Sequence, residues 1–294
     1  MEATRRDADN WEVSSIPAWL GFAFAILAAE RPTGLALPVV PSPDDTCGVR
    51  IRAARDDELR LVDRNPLLGE PPNANDAPGP GSLRARVRTD SLHHPHIDVD
   101  DVSRGTSRRL CSGCMPRWSP DGKWIAFNGW QSRERPYVLR IVDPVTGSVR
   151  QIDAIDYIED YAWSPDATKL GFTAMRTKHF RWEIGWVDIP EGTVHVAGID
   201  EGPAEYSHFA WAPDGLRFVV NRYVEDEHDD SLHSSDLWLY DLGGRRCRLT
   251  TTPRTDEEDA GWIDDRSIRF TLLDWNTPAD TVASIHRVAE LAPR

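Results

Sequence analysis

Residues 115–129, MPRWSPDGKWIAFNG, read as strand, tight turn and strand. Trp118 closes a short apolar run, and Ser119-Pro120-Asp121-Gly122 makes the turn. Proline presets φ at the second turn position, aspartate bonds nearby backbone, and glycine takes the positive φ that returns the chain to a strand. Trp124, Ile125 and Phe127 then have the aromatic and β-branched character of a packed strand. The same pattern returns at 161–174 (YAWSPDATKLGFTA), at 209–222 (FAWAPDGLRFVVNR) and, without the proline, at 260–273 (AGWIDDRSIRFTLL).

The recurrence decides the fold. Trp118, Trp163, Trp211 and Trp262 are spaced 45, 48 and 51 residues apart. Each of the first three units carries a second anchor, a strand running into an Asp turn: LRIVDPVTG with Asp143, GWVDIPEG with Asp188 and WLYDLGG with Asp241. A last short strand follows each. Four antiparallel strands, A to D, in a unit of this length are the signature of a propeller blade. Upstream, 39–65 has an SPD turn and the strand LRLVD, and reads as blade one. The segments 77–89 and 96–110 supply strands of blade two. Six turn anchors result: Pro43, Pro80, Pro120, Pro165, Pro213 and Asp264.

The expected fold is therefore an all-β, six-bladed propeller over residues 19–294, behind a tail of residues 1–18. Its blades fall at about 35–66, 67–112, 113–156, 157–200, 201–252 and 253–290, the first two degenerate. The last repeat ends after three strands, and an open ring would expose strand edges. A strand within 19–29 is expected to complete it.

The repeats WSPDGKWIAF, WSPDATKLGF and WAPDGLRFVV, with their Asp-turn strands, resemble the TolB-like propeller repeat, a relative of WD-type repeats. The resemblance spans about 35–290 and implies a six-bladed ring. The same repeat occurs in the propellers of prolyl-oligopeptidase-like enzymes. This chain has no G-x-S-x-G nucleophile elbow, so that hydrolase chemistry is not expected of it.

A net charge of −14 argues against nucleic acid and against an anionic membrane surface as partner. Cys47, Cys111, Cys114 and Cys247 are too few for a disulfide scaffold. The apolar run 16–29 is shorter than a membrane span, and no integral span is expected. Glu2, Asp7, Asp9 and Glu12 outweigh Arg5 and Arg6 ahead of it, unlike a secretory leader. The lack of a clean leader favours the cytoplasm slightly, whereas the resemblance implies an extracytoplasmic site.

In a propeller, strand A lines the central channel. The residues three before each Trp are Met115, Asp160, His208 and Asp259. Asp160, His208 and Asp259 are expected at the channel mouth, where two carboxylates and an imidazole can orient a polar ligand or a divalent cation, zinc or calcium. His93, His96, Cys111 and Cys114 are zinc ligands in type, although their spacing matches no standard finger. The third candidate is an acidic loop face: Glu225, Asp226, Asp229 and Asp230 in a long B–C loop, with Glu257 and Glu258 before strand A of the last blade. Such a face suits a basic protein or peptide. The functional expectation is a monomeric, non-catalytic binding propeller. The alternative is a metal-assisted lyase or hydrolase using the channel-mouth residues, in the manner of oligogalacturonate lyases, where channel-facing His holds the metal. Only His208 is in that register here.

Overall fold

The computed structural model describes residues 48–58, 75–129, 138–152, 155, 157–176, 181–200, 204–226, 229–251, 255–274 and 283–292; the side chains of 176, 199–200, 204–205, 224–226, 229–233, 274 and 283–284 are outside this description. All of it belongs to the unit Val39–Arg294.

Five four-stranded blades follow one another among the described residues. The first is β2 (Asp76–Pro78), β3 (Leu83–Thr89), β4 (Pro95–Asp101) and β5 (Thr106–Ser112). The second is β6 (Cys114–Trp118), β7 (Ile125–Gly129), β8 (Val138–Val142) and β9 (Val149–Gln151). The third is β10 (Tyr157–Trp163), β11 (Lys169–Arg176), β12 (Arg181–Asp188) and β13 (Val194–Asp200). The fourth is β14 (Ala204–Trp211), β15 (Arg217–Asp226), β16 (Asp229–Asp241) and β17 (Arg246–Arg248). The fifth has β18 (Thr255–Asp264), β19 (Ser267–Asp274) and β20 (Ala283–Leu291). Its fourth strand comes from the other end of the chain: β1 (Val49–Ala53) pairs antiparallel with β20 from Val49↔Leu291 to Ala53↔Arg287.

An N-terminal strand thus completes the last blade, but it is Val49–Ala53. Residues 19–29 lie outside the described ones. Val49–Ala53 is also the one described strand of the blade expected at 35–66, and its place is in the last blade instead. The physical reason is the free edge of β20. Alternation on β1 turns Val49 and Ile51 into the apolar cluster of the last blade and leaves Arg52 on the other face, bonded to Glu290 at 2.5 Å. The remainder of the expected first blade falls outside the described residues.

Strand alternation also builds the core. In the second blade Ile125 and Phe127 turn back onto Ala85, Ile97 and Val99 of the first, while Ala126, with Leu139 and Ile141, turns forward onto Tyr161, Leu170 and Phe172 of the third. Trp182, Ile184 and Trp186 pack on Phe209, Phe218 and Tyr240 across the next interface, and Val219, Leu237 and Leu239 on Trp262, Ile268 and Phe270 across the last. The face of the first blade turned away from the second is a charged ladder. Arg84 and Arg86 reach Asp76, Arg86 and Arg88 reach Asp100, and Arg88 lies 2.9 Å from Asp98.

The strand-A tryptophans fasten neighbouring blades. Trp163 Nε1 donates to Arg117 O at 3.0 Å, Trp211 Nε1 to Ala162 O at 3.0 Å and Trp262 Nε1 to Ala210 O at 3.1 Å. Each acceptor is the residue just before the tryptophan of the preceding blade. Trp118 meets the first blade differently. Its ring lies so close over Gly79 that a Cβ there would stand 2.5 Å from it, and its Nε1 is buried without a hydrogen-bond partner.

The SPD turns repeat one bonding pattern. Ser119 Oγ donates to Asp121 Oδ1 at 2.7 Å and accepts from Trp124 N at 2.9 Å; Ser164, Asp166 and Lys169 do the same. The next residue takes positive φ in each: Gly122 at 71°, Gly215 at 66° and, without glycine, Ala167 at 59°. An L-residue is strained there, so Ala167→Gly should stabilise the fold by about 1 kcal/mol, read as a shifted urea midpoint at unchanged slope.

Candidate functional site

Strand A of the second to fifth blades is irregular at one level. The pairing of strands A and B shifts between Cys114 and Arg117, Ile158 and Asp160, Ser207 and Ala210, and Glu258 and Gly261. Three of these bulges open on a non-glycine residue at positive φ: Met115 at 53°, His208 at 52° and Asp259 at 54°. Bulges re-aim side chains, and each such backbone costs on the order of 1–2 kcal/mol. All three residues are those singled out by counting back three from the tryptophan.

Asp160, the fourth, is different. It is buried, accepts from Arg117 Nη2 at 2.7 Å on one oxygen and from the Phe209 amide at 2.7 Å on the other. Arg117 belongs to the second blade, Asp160 to the third and Phe209 to the fourth, so this carboxylate ties three blades together.

His208 and Asp259 stand on β14 and β18, inner strands of adjacent blades. Glu258 precedes Asp259 on β18 and is paired with Thr271 on β19. Burial and the Asp259 and Asp256 carboxylates raise Glu258 above the usual carboxylate range, while His208 partly offsets the rise. Tyr223 of β15 is also raised, mainly by burial and by Glu258. Because the folded state favours the protonated form of Glu258, stability falls as pH rises through its raised folded pKa. Glu258→Gln should therefore raise Tm by about 2 °C at pH 7 and leave it unchanged below about pH 4, where both proteins carry a neutral side chain.

The other sequence candidates separate. Glu257 is fully buried, and Asp256 nearly so, because β18 already begins at Thr255 and packs on β16. Glu257 is thus not part of an acidic surface. Glu225, Asp226 and Asp229 pair in the β15–β16 ladder, which runs out to Asp226↔Asp229, and Asp230 lies on β16 in the irregularity between the last two pairs, so the four are not in a long loop. His96 lies in β4 and is buried, 3.5 Å from Asp98. It faces Ser112, whereas Cys111 is opposite Ile97, so His96 and Cys111 point to opposite faces of the blade. His93 is in the exposed β3–β4 turn. Burial pushes the Cys111 thiol up to about 12 and raises Cys114 too. Among the described residues no three His, Cys, Asp or Glu side chains are grouped to hold a metal ion. Nor is any helix among them long and apolar enough to cross a membrane.

One feature was not legible in the sequence. Asn128, Thr173 and Asn221 occupy equivalent strand-B positions, opposite Cys114, Asp160 and Ser207. All three are buried, and Asn128 Oδ1, Thr173 Oγ1 and Asn221 Oδ1 have no hydrogen-bond partner. The only sequence signal was a polar residue directly after an aromatic or apolar one in each strand B: Asn128 after Phe127, Thr173 after Phe172 and Asn221 after Val220.

No protein-family model matches the chain, and no curated protein matches it in sequence. Solved structures do match in shape. The β-propeller domain of the Trilobed protease from Pyrococcus furiosus superposes with a TM-score of 0.54 at 19% identity, over 71% of this chain and 69% of that one. Hydrazine synthase of Kuenenia stuttgartiensis gives 0.52 at 18% identity, over 68% and 64%. TolB from Acinetobacter baumannii gives 0.47 at 18% identity, over 74% and 54%. The first likeness defines the class of fold, a β-propeller.

Proposed function

We propose that this propeller is a non-catalytic binding scaffold for a basic protein or peptide, taken up at the ring end opposite the SPD turns. The observation that carries the reading is the repeated bulge of strand A, which holds His208 and Asp259 at positive φ at one level of adjacent inner strands, whereas Met115, with the same backbone, packs on the core between the second and third blades. Strain kept at equivalent positions of different blades is a cost that packing does not require, and such backbone concentrates at binding sites. The acidic tip of the β15–β16 hairpin lies at the same end of its blade, away from the turn at 212–216. The resemblance to TolB-like repeats supports the same role. Cys247 is buried on β17 and disulfide-bonded, which favours an oxidising compartment outside the cytoplasm.

The test is capture of a partner from extract by the full chain. Neutralising Glu225, Asp226, Asp229 and Asp230 together should cut capture and its salt dependence while leaving Tm nearly unchanged. Equal capture by both proteins at low and high salt would overturn the electrostatic face.

A further inference from the structure

The outermost strand of each blade has a free edge of backbone donors and acceptors, which invites pairing with another strand unless it is short or charged. Four of the five edges are guarded in this way. β5 carries Arg108 and Arg109, β1 carries Arg50 and Arg52, and β9 and β17 are three residues long. β13 is the exception. It has seven residues, pairs among the described residues with β12 alone, and carries no Lys, Arg, Asp, Glu or Pro from Val194 to Ile199. The β12–β13 ladder has one irregularity, at Ala197, whose methyl packs on the apolar cluster shared with the fourth blade, and it is regular on either side. Val196 is 43% exposed. His195, the one ionisable side chain in the run, is folded back onto its own blade. Its ring lies flat on Trp186, 5.0 Å between centroids at 11°, and its Nε2 is 2.6 Å from Asp188 Oδ2.

The fourth blade turns a cation toward this edge. Gly198 of β13 abuts Tyr240, since a Cβ there would stand 3.0 Å from Tyr240 Cε1. Arg246 on β17 is directly opposite Tyr240 and shares its face, and Trp238 on that face packs on the same cluster as Ala197. Arg246 is exposed, its guanidinium lies 5.9 Å from the Trp238 ring centroid, and no described carboxylate is paired with it. A guanidinium laid on an indole keeps its fork of donors open to a carboxylate. A second copy of the chain is a poor occupant. Its own β13 brings no carboxylate from Val194 to Ile199, and two chains of net charge −14 repel.

We propose that the free edge of β13 takes up an extended peptide as a fifth strand of the third blade, with an acidic side chain of the peptide on Arg246. Backbone bonds along the edge supply affinity, and alternate side chains supply selection. Val196 and Gly198 stand on opposite faces of the blade, because Val196 is opposite Gly185 and Gly198 opposite Ile184. The peptide therefore alternates, apolar on the Val196 face and acidic on the face toward Arg246. This site is separate from the one taken up at the end opposite the SPD turns, and neither depends on the other.

The full chain is titrated into three fluorescein-labelled heptapeptide amides: Thr-Val-Glu-Val-Thr-Val-Thr, the same peptide with lysine for glutamate, and the first peptide with every backbone amide N-methylated. Anisotropy should show saturable binding of the glutamate peptide, about tenfold weaker binding of the lysine peptide, and none of the N-methylated one. Arg246→Glu should reverse the order of the first two. Val196→Lys places a guarding charge on the edge at an exposed position, and should weaken the glutamate peptide about tenfold at unchanged Tm. Hydrogen exchange with the glutamate peptide bound should slow along β13 and stay as it was along β5. Equal binding of the N-methylated peptide, an order that Arg246→Glu does not reverse, or protection along β5 in place of β13 would overturn the assignment. So would a concentration-dependent dimer of the wild type that Val196→Lys abolishes, which would give the edge to a second copy. None of these outcomes bears on capture through the hairpin acids, so the two readings stand or fall apart.

Discussion

Replacing Trp262 with alanine should destabilise the protein by about 3–5 kcal/mol, among the largest single-residue losses available to this fold. The ring is fully buried between the fourth and fifth blades, Arg217 stacks on it at 5.2 Å, and its Nε1 holds Ala210 O. Truncation removes the packing, opens a cavity and strands the carbonyl. Phenylalanine scanning separates these terms. Trp163→Phe, Trp211→Phe and Trp262→Phe each keep most of the ring and lose the bond to the preceding blade, for about 1–2 kcal/mol. Trp118→Phe should cost markedly less, because its Nε1 has no partner to lose. Urea unfolding of the four variants checks the order. A Trp118→Phe loss as large as the other three would show that the bonds are not what fastens the blades.

Arg52→Met should cost on the order of 3 kcal/mol at neutral pH, since it strips a buried carboxylate of its main counter-charge. Arg52 bridges Glu290 and Glu58, and Glu58 is almost completely buried with Arg55 2.8 Å away. The hydrogen bonds from Arg52, followed by those of Arg55 and against the pull of burial, hold the Glu58 carboxyl down at about 2. Its folded value is depressed. The stabilisation is therefore complete above the ordinary 4.5 and disappears as pH falls from there through 2. Wild type and Arg52→Met should accordingly converge in thermal stability between pH 4.5 and 2. A difference that stays constant across this window would mean that Arg52 acts through packing alone. Arg52 lies on the strand that completes the last blade, so the same variant should raise hydrogen exchange along β20 more than along β7.

Much of the architecture was legible because it is written in short-range chemistry. The WSPDG turn is specified by residues within ten positions of one another, and its recurrence at a near-constant interval announces four-stranded blades. The residues three before each tryptophan were also legible, since the count is fixed by the strand. What they do was not. Asp160 and Asp259 are the same residue type in the same register. One is consumed in a bond to the blades on either side, while the other stands exposed. The difference lies in the neighbours: Arg117 reaches Asp160 from the blade before it, a contact between residues 43 apart that no local pattern encodes.

Where the structure puts His96, Cys111 and Glu257 was not legible in the sequence, for related reasons. His96 and Cys111 are near one another in the blade, but a one-residue offset in a ladder reverses the face, and register is a property of paired strands. Glu257 is acidic and follows a loop, yet β18 starts two residues before it and takes it into the interior. The sequence by itself determined the blade, its turns, its tryptophan anchors and the need for an N-terminal strand. Only the tertiary structure decided that Val49–Ala53 is that strand, because the choice depends on which segment reaches the free edge of β20 with Val49 and Ile51 inward and Arg52 toward Glu290.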